Sequence, residues 1–368
     1  MRSNNTKQTY HFLPIIEDPS AHSLCTWVIA GPCSAESYEQ MRETALALSA
    51  MGVTWFRAGV WKPRTRPGGF EGMGEEALSW IRELKKEFPY MTFCTEVATA
   101  THVRLCLEYG LDALWIGART TSNPFMMQEI ADALQGVDIP VLVKNPVSPD
   151  IELWIGAIDR LYNAGLRRIA AIHRGFSSLG RGLYRNPPHW SLVMELRSRI
   201  PNLLLLGDPS HMAGRRDLIP SLCRQLIHLH YDGIMLEVHP SPDLALSDAA
   251  QQLTPNGFSE ILQHICIQES PSNAEIILAP LREKIDGLDH SIIELISERM
   301  TISAEIAKLK ALNDISVVQP ERYNSLLQER LQFSKSQELS EALIKAIFDL
   351  IHDESIALQN KIVLGLKQ

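Results

Sequence analysis

Cations that could bind phosphate or carboxylate gather in one short segment of the chain. Residues 56–69 read FRAGVWKPRTRPGG and contain no carboxylate, although the whole chain has a formal net charge of -8. Further cations follow later apolar runs, and the set of six is Arg57, Lys62, Arg64, Arg119, Lys144 and Arg174. Arginine grips phosphate and carboxylate through two parallel hydrogen bonds. Six such groups at one place would hold two anionic substrates rather than one phosphate.

A second set of residues has the composition of a metal site. One thiol, one imidazole and two carboxylates come from Cys33, His211, Glu237 and Asp248. This mixture of soft and hard ligands suits a divalent transition metal such as Mn, Fe, Co or Zn better than Mg or Ca. The alternatives are a small buried hydrophobe for Cys33 and a helix cap for His211. Because the four residues lie far apart in the sequence, only a particular fold can bring them together.

Short apolar runs between residues 27 and 265 predict the elements that position both sets. The eight runs are TWVIAG, VTWFRAG, MTFCTEV, ALWIGA, PVLVK, RIAAIH, LLLLGD and GIMLEV. They are too short for helices and nearly all apolar, as expected of strands buried on both faces. Eight strands alternating with helices over about 240 residues predict a (β/α)8 TIM barrel, with a doubly wound open sheet as the alternative. Active sites of such barrels lie at the carboxyl ends of the strands, where nearly every run here ends in an ionisable group.

The pattern changes after residue 265. The segment QESPSNAEIILAP is polar and contains proline, which predicts a linker over residues 266–279. Residues 281–311 have apolar side chains at helical spacing, a shorter helix is predicted after Pro320, and a third over 338–364. We therefore predict two domains, a barrel with a short N-terminal extension over residues 1–265 and an all-α three-helix domain over 280–368.

The first predicted helix of the C-terminal domain is too long to be covered by its own chain. About thirty helical residues extend about 45 Å at 1.5 Å per residue. Two further helices in fewer than ninety residues cannot cover such a rod, so we predict a homodimer formed through this domain. A lone coiled-coil appendage is the alternative, but the apolar positions do not keep a strict heptad.

Composition indicates a soluble globular protein. The 368 residues are 45% hydrophobic and 21% charged. The sequence shows no apolar run long enough for a membrane span and no secretory signal at its N-terminus. Six cysteines without a CxxC pair are interpreted as reduced thiols, which predicts a cytoplasmic location. The acidic balance argues against nucleic acid as a partner.

Several motifs of the predicted barrel resemble those of one enzyme family. They are AGPCS (30–34), KPRT (62–65), TEV (95–97), IGAR (116–119), DPSHMAGRRD (208–217), LEVHP (236–240) and ALSDAAQQLTP (245–255). Over residues 27–258 the chain resembles a short microbial 3-deoxy-D-arabino-heptulosonate 7-phosphate (DAHP) synthase. The resemblance implies a (β/α)8 barrel that condenses phosphoenolpyruvate with erythrose 4-phosphate, the entry step of aromatic biosynthesis. The NPVS sequence after Lys144 and the presence of His173 before Arg174 leave the subgroup open.

The same resemblance implies a role for each candidate residue. The metal ligands would be Cys33, His211, Glu237 and Asp248. Phosphoenolpyruvate would be held by Arg57, Lys62, Arg119, Lys144 and Arg174, with Lys62 and Lys144 acting in catalysis. Arg64 and Thr65 would hold the phosphate of erythrose 4-phosphate, and Glu96 would orient the water that adds after carbon–carbon bond formation.

The C-terminal domain resembles the all-helical class of chorismate mutase over residues 280–364. The matching motifs are LREKIDGLD, ERMTISAEIAKLK, PER and DESIALQ. The implied reaction rearranges chorismate to prephenate and needs a folded, charge-complemented substrate rather than a proton or a nucleophile. The residues implied are Arg282, Arg299 and Arg322 for the carboxylates, Lys310 and Gln359 at the ether oxygen, and Ser355. In this family one arginine comes from the partner chain. Gln319 and Tyr323 stand where the family usually carries Asp and Glu.

We therefore predict a bifunctional enzyme, with two alternatives. The barrel could be that of a 3-deoxy-octulosonate 8-phosphate synthase, but that relative usually carries Asn where Pro63-Arg64 stand here. The helical domain could be a non-catalytic dimerisation or regulatory module. About 25 residues precede the first strand, too few for a separate effector domain. We therefore expect any feedback control to act through the mutase site, with prephenate as a candidate effector.

Overall fold

The computed structural model describes residues 9–16, 27–64, 68–178, 183–266 and 274–366, and the side chains of 264, 266, 274–284 and 366 lie outside the description. The chain divides into two compact units, Met1–Gln268 and Glu269–Gln368, which are described separately. None of the described helices is long and apolar enough to cross a membrane.

The first unit is a closed barrel of eight parallel strands in sequence order. The strands are β1 Trp27–Gly31, β2 Trp55–Arg57, β3 Thr92–Val97, β4 Ala113–Ile116, β5 Val141–Lys144, β6 Ile169–His173, β7 Leu204–Gly207 and β8 Gly233–Glu237. Strand β1 closes the barrel against β8, with Gly31 opposite Glu237. The predicted barrel is confirmed, and each strand lies within one of the eight apolar runs.

Helices cover the outside of the barrel. They are α1 Tyr38–Ala50, α2 Glu75–Glu87, α3 Ala100–Glu108, α4 Ala118–Thr121, α5 Pro124–Ala133, α6 Ile151–Asn163, α7 Trp190–Arg199, α8 Pro209–Ala213, α9 Ile219–His228 and α10 Pro255–Cys266. Side chains cap several of them by accepting a hydrogen bond from a first-turn N–H, as Ser37 does for α1 and Asp150 for α6. Asp208 caps α8 in the same way, by accepting from the His211 N–H.

Strand alternation sorts the barrel side chains into two apolar layers. Trp55, Cys94, Leu142 and Met235 belong to the cluster that fills the barrel interior. The neighbouring strand residues, such as Phe56, belong to the cluster between the strands and the helices. Both layers are closely packed, which holds the strands in a fixed register and therefore fixes the direction of every side chain at their carboxyl ends.

The same alternation continues past the apolar core to the barrel mouth. Counting two residues on from an interior side chain reaches an ionisable group on most strands, because successive side chains point to opposite faces. The pairs are Trp55 and Arg57, Cys94 and Glu96, Leu142 and Lys144, Ile172 and Arg174, Leu206 and Asp208, and Met235 and Glu237. These groups therefore face the axis of the barrel above its apolar filling.

The second unit consists of three helices, α11 Ala274–Leu312, α12 Pro320–Ser336 and α13 Glu341–Leu366. Helix α11 packs against α13, and α12 packs against α13. The number and order of helices agree with the prediction. Helix α11 begins at Ala274, inside the stretch predicted to be a linker, because the AEIILA sequence before Pro280 is made of strong helix formers.

Candidate functional site

The four candidate metal ligands meet at the barrel mouth. Cys33, Glu237 and Asp248 each place a donor atom within 4.8 Å of the other two, and Cys33 Sγ lies 3.6 Å from Asp248 Oδ2. His211 Nε2 lies 3.7 Å from Glu237 Oε1. This Oε1 atom is buried and lies 3.1 Å from Arg57 Nη2, and it accepts no well-aligned hydrogen bond from the described residues.

Two of these ligands, His211 and Glu237, are each also held by a neighbour through their other polar side-chain atom. His211 Nδ1 lies 3.0 Å from Asp208 Oδ1, which leaves Nε2 available. Gln251 Nε2 donates to Glu237 Oε2 at 2.6 Å, which leaves Oε1 available. Such outer partners fix the orientation of metal ligands.

The pKa shifts agree with a metal site that loads by releasing a proton. Burial, with the charge of Glu237, raises the pKa of the Cys33 thiol to about 12, so a metal ion must displace the thiol proton. Burial lowers the pKa of His211, although Asp208 opposes that shift, and the imidazole is therefore neutral at pH 7. Burial opposes ionisation of Asp248, but His211 and Arg185 outweigh it and lower the pKa of this carboxyl group. Thiol, neutral imidazole and two carboxylates together fit a divalent transition metal ion.

A cavity of about 430 Å³ opens directly above these ligands. His211 and Asp248 lie in its wall. The predicted cations that line it are Lys62, Arg64, Arg119, Lys144 and Arg174. Such a density of positive charge over a buried ligand cluster is suited to small, multiply charged anions.

Arg57 is the one predicted cation that does not line this cavity. Its side chain is 1% exposed, and Nη2 lies 3.1 Å from Glu237 Oε1. The guanidinium stacks over the Trp115 ring at 4.9 Å. Among the described residues, nothing accepts a hydrogen bond from Nε or Nη1. These buried donors would be satisfied by an anion that reaches below the cavity floor.

Lys62 and Arg64 both lie in the loop after β2, but they are held in different ways. Lys62 Nζ donates to Cys33 O at 3.1 Å and contacts Cys33 Sγ at 3.0 Å, which places its charge beside the metal-ligand cluster. Arg64 Nε donates to Phe70 O at 2.6 Å, so the guanidinium stays at the cavity rim. Thr65, the second predicted ligand of the sugar phosphate, lies outside the described residues.

Arg174 has the electrostatic character of an anion site. Its Nη1 donates to Asn186 Oδ1 at 2.9 Å. Burial lowers the pKa of Arg174 to about 10, and the positive charges of Arg185 and Arg119 add to this effect, while Asp208 opposes it. The positive charges of neighbouring arginines repel one another, and a bound anion would relieve that repulsion.

Glu96 projects into the cavity from strand β3. Trp115 Nε1 donates to Glu96 Oε2 at 3.1 Å, which fixes the carboxylate. A Cβ atom at residue 117 would overlap Glu96 Oε1, so any larger residue there would push the carboxylate out of this position. The IGAR motif therefore makes room for Glu96 and also places Arg119 on the same wall.

In the second unit, four predicted residues pair at the contact between α11 and α13, where Ser355 and Gln359 are buried, and this contact region is named the groove. Arg299 Nη1 donates to Ser355 Oγ at 2.7 Å, and Lys310 Nζ lies 3.2 Å from Gln359 Oε1. Gln359 Nε2 donates to Ser303 Oγ at 2.9 Å. Burial lowers the pKa of Lys310 and that of Arg299, to which Arg330 adds its repulsion. Two cations and an amide therefore face a half-buried groove that suits a dicarboxylate.

The other residues predicted for this groove are less well defined. Arg322 is exposed on α12, and the side chain of Arg282 lies outside the description. Tyr323 stacks on His352 with ring centroids 4.2 Å apart and donates its hydroxyl to Asp349. Tyr323 thus makes a local contact with α13 where a Glu is usual.

The barrel sequence matches a known family over most of its length. The family model described as "DAHP synthetase I family" covers residues 23–270. The chain belongs to the DAHP synthetase I family. Phospho-2-dehydro-3-deoxyheptonate aldolase of Thermotoga maritima is 36% identical over 238 residues, which are 65% of this chain and 68% of that protein. The crystal structure of a Thermotoga maritima DAHP synthase superposes with a TM-score of 0.59 over 65% of this chain and 68% of that one.

The helical domain of this DAHP synthetase I chain has relatives of its own. Residues 281–360 match the family model "Chorismate mutase type II". A bifunctional chorismate mutase/prephenate dehydratase of Buchnera aphidicola is 30% identical over 93 residues, 25% of this chain and 24% of that protein. The two matched domains indicate both enzymatic activities, DAHP synthase and chorismate mutase.

His173, whose position before Arg174 leaves the subgroup open in the sequence, has a structural role in this DAHP synthetase I barrel. It follows the interior residue Ile172 and therefore points outwards, away from the cavity. His173 Nε2 donates to Pro188 O at 2.7 Å, and Nδ1 accepts from the Tyr231 hydroxyl at 2.8 Å. The imidazole is buried between the barrel and its outer helices, so it plays no direct part in the site.

Sequence reasoning missed three residues of the DAHP synthetase I site, namely Arg185, Asn186 and Gln251. It placed Asp208 at the end of the seventh apolar run, two residues after the interior Leu206, but assigned it no role. The three missed residues occupy loops, where no periodic signal exists. Asn186 and Arg185 line the cavity, while Gln251 lies 1% exposed beneath it.

Proposed function

We propose that the barrel catalyses the metal-dependent condensation of phosphoenolpyruvate with erythrose 4-phosphate to DAHP, and that the helical domain converts chorismate to prephenate. The observation that carries the first activity is the cluster of Cys33, Glu237 and Asp248, with His211 Nε2 3.7 Å from Glu237 Oε1, at a cavity lined by five predicted cations. The second rests on the groove formed by Arg299, Lys310, Ser355 and Gln359.

In the barrel, the chain's own residues would position both substrates. Cys33, His211, Glu237 and Asp248 would hold a divalent ion, which when bound supplies Lewis-acid polarisation of the substrate aldehyde. Arg57, Lys62, Arg119, Lys144 and Arg174 would bind the carboxylate and phosphate of phosphoenolpyruvate and hold its enol carbon near the aldehyde. Glu96, fixed by Trp115, would orient the water that adds before phosphate leaves.

The sugar substrate is proposed from the KPRT loop. Arg64 lines the cavity and, with Thr65, would bind the phosphate of a four-carbon sugar. A 2-dehydro-3-deoxyphosphooctonate aldolase of Desulfotalea psychrophila is 27% identical over 258 residues, 64% of this chain and 86% of that protein. That identity is lower than with the Thermotoga maritima protein, which favours erythrose 4-phosphate over a five-carbon sugar phosphate.

In the helical domain the groove would act by electrostatics alone. Arg299 and a second arginine, Arg282 or Arg322, would hold the two carboxylates of chorismate in the folded conformer. Lys310 and Gln359 would donate to the ether oxygen, where negative charge develops in the transition state. No proton moves to or from the protein, so the lowered pKa of Lys310 needs only to leave it charged.

We also propose that the protein is a homodimer through the helical domain. Long apolar side chains of α11 are exposed, among them Leu288 at 64%, Ile292 at 53% and Leu295 at 65%. A second copy of the domain would bury this face. Sedimentation equilibrium should give twice the chain mass, and Ile292→Asp should shift the protein towards monomer, while Leu46→Asp, an equally exposed position on α1, should not.

Feedback control through the mutase groove is a further part of the proposal. A product such as prephenate would inhibit the synthase if the groove binds it more tightly in a less active state. Synthase rates should then fall as prephenate is added to the full-length protein. Rates that stay constant at saturating prephenate would show that the domain has no such control.

One set of assays tests both activities on the full-length protein. After chelation and dialysis, the protein should not condense phosphoenolpyruvate with either erythrose 4-phosphate or arabinose 5-phosphate. DAHP formation should return when Mn²⁺ is added with erythrose 4-phosphate. Faster turnover of arabinose 5-phosphate would favour the octulosonate alternative. Chorismate loss should be unaffected by the chelator, and a protein that dimerises without converting chorismate would have a non-catalytic helical module.

A further inference from the structure

Arg185 has no role in the mechanism proposed above, yet it lines the substrate cavity and also contacts the candidate metal ligand Asp248. It belongs to the loop between β6 and α7 and lines the cavity. Its backbone N–H donates to Ala213 O at 3.3 Å, and the next residue, Asn186, donates to Met212 O at 3.0 Å. The loop is therefore tied to helix α8, which also carries His211.

One nitrogen of the Arg185 guanidinium contacts two side chains of the loop that follows β8. Nη1 donates to Asp248 Oδ1 at 3.0 Å and to Gln251 Oε1 at 2.9 Å. Because the Gln251 oxygen accepts from Arg185, its amide nitrogen is directed to Glu237 Oε2 at 2.6 Å. A continuous relay thus runs from Arg185 through Gln251 to Glu237, with a direct branch to Asp248.

The two carboxylate oxygens of Asp248 have different partners. Asp248 Oδ1 is held by Arg185, while Oδ2 lies 3.6 Å from Cys33 Sγ. The contact with Arg185 therefore selects which carboxylate oxygen is presented to the other metal ligands.

We propose that Arg185 is a positioning residue that orients two candidate metal ligands, Asp248 directly and Glu237 through Gln251, and so increases the affinity of the site for its metal. This inference rests on the proposed metal dependence of the barrel. It joins the cavity wall to the ligand cluster in one hydrogen-bonded unit, so that the carboxylates are already arranged before an ion enters.

Electrostatics alone predicts the opposite effect of Arg185 on metal affinity, so the direction of the measured change distinguishes the two explanations. A guanidinium beside an Asp248 carboxylate repels a divalent cation, so its removal should tighten metal binding if charge alone mattered. If orientation dominates, removal should weaken metal binding by about 10–100-fold, as is usual when the outer partner of a metal ligand is lost.

The experiment measures the dissociation constant of Mn²⁺ alone, without substrates, by calorimetry on the metal-stripped full-length protein. Arg185→Met, which keeps part of the apolar stem without the charge or the donors, should bind Mn²⁺ about 10–100-fold more weakly. Arg185→Lys keeps the charge, but its side chain ends short of the Nη1 position that donates to Asp248 and Gln251, so it should also bind more weakly. Gln251→Leu should weaken binding, and adding it to Arg185→Met should cost less than the product of the two single effects, because both act on Glu237.

Arg215→Met is the matched control, because Arg215 pairs with exposed Asp217 outside the site, and its Mn²⁺ affinity should equal that of the wild type. If Arg185→Met binds Mn²⁺ as tightly as the wild type or more tightly, the proposal is overturned. Unchanged Mn²⁺ affinity together with a raised KM for phosphoenolpyruvate or erythrose 4-phosphate would also overturn it. Wild-type protein that does not bind Mn²⁺ would instead refute the proposed metal site. Circular dichroism and chorismate turnover check folding, and if Arg185→Met is unfolded, Arg185→Lys and Gln251→Leu decide the question by the same measurement.

Discussion

His211 Nδ1 lies 3.0 Å from Oδ1 and 2.8 Å from Oδ2 of Asp208, the residue that also caps the helix carrying His211. The same carboxylate accepts from Lys144 Nζ at 2.8 Å. Burial disfavours the charge on Asp208, but His211 and Lys144 outweigh it and hold the pKa well below its usual value. One buried anion therefore fixes both the imidazole of the ligand cluster and a cation of the substrate cavity.

Asp208→Asn should damage stability and metal binding together. Lys144 is 4% exposed and would lose its counter-charge, and breaking a buried ion pair costs about 3–5 kcal/mol. The asparagine would also hold His211 less firmly, which should weaken Mn²⁺ binding by about 10–100-fold. Urea unfolding and calorimetry measure the two effects. Asp217→Asn, at an exposed ion pair, should leave the free energy of unfolding close to that of the wild type, because solvent screens such pairs. A stable Asp208→Asn protein with normal Mn²⁺ affinity would contradict this account.

Cys33→Ala should abolish DAHP formation and leave chorismate turnover intact. Loss of the only sulfur ligand should reduce Mn²⁺ affinity by more than the roughly 10–100-fold effect of an outer partner. Both activities are measured on the same preparation. Cys223→Ala removes a thiol that is equally buried, on the outer helix α9, and it should keep synthase activity. Retained activity in Cys33→Ala would show that the thiol is not a ligand.

Lys310→Ala should reduce chorismate turnover through kcat without affecting DAHP formation. Its ammonium, together with Gln359, is the donor proposed for the ether oxygen, and losing such a donor lowers kcat by about 10²–10³-fold. Lys308, two residues earlier on α11, is exposed and away from the groove, so Lys308→Ala should keep wild-type kcat. Similar losses in the two variants would point to destabilised helices instead.

His173 should make the barrel less stable as the pH falls. Burial lowers the pKa of His173 from 6.5 to about 3, so below pH 6.5 the unfolded chain binds a proton that the folded protein excludes. The free energy of unfolding should therefore fall by about 1.4 kcal/mol for each pH unit between 6.5 and 3 from this group alone. Its full contribution is present above pH 6.5.

His173→Gln tests this, because glutamine keeps a donor and an acceptor but does not titrate. Urea unfolding followed by tryptophan fluorescence at pH 7.0 and pH 5.0 should show a smaller loss of stability in the variant than in the wild type. His228→Gln, at an exposed position, should leave the pH dependence of the wild type unchanged. An equal loss in His173→Gln would assign the dependence to other groups.

The sequence by itself determined the architecture of the barrel and much of its mouth. Eight apolar runs of strand length can be buried on both faces only in a sheet covered on both sides, and their number closes the sheet. Because side chains alternate with a period of two to the end of each strand, Arg57 faces the same side of the sheet as Trp55, and Glu237 faces the same side as Met235. Local periodicity is a property of neighbouring residues, so it can be read without coordinates.

Only the tertiary structure decided which side chains near the ends of different strands contact one another. The contacts of Arg185 with Asp248 and of Lys144 with Asp208 join residues more than sixty positions apart, and loops such as those around Gln251 have no period to indicate where a side chain points. The burial of Arg57 was likewise settled by packing. Hydrogen bonds and burial depend on which segments the closed barrel brings together, and that information is absent from any single stretch of sequence.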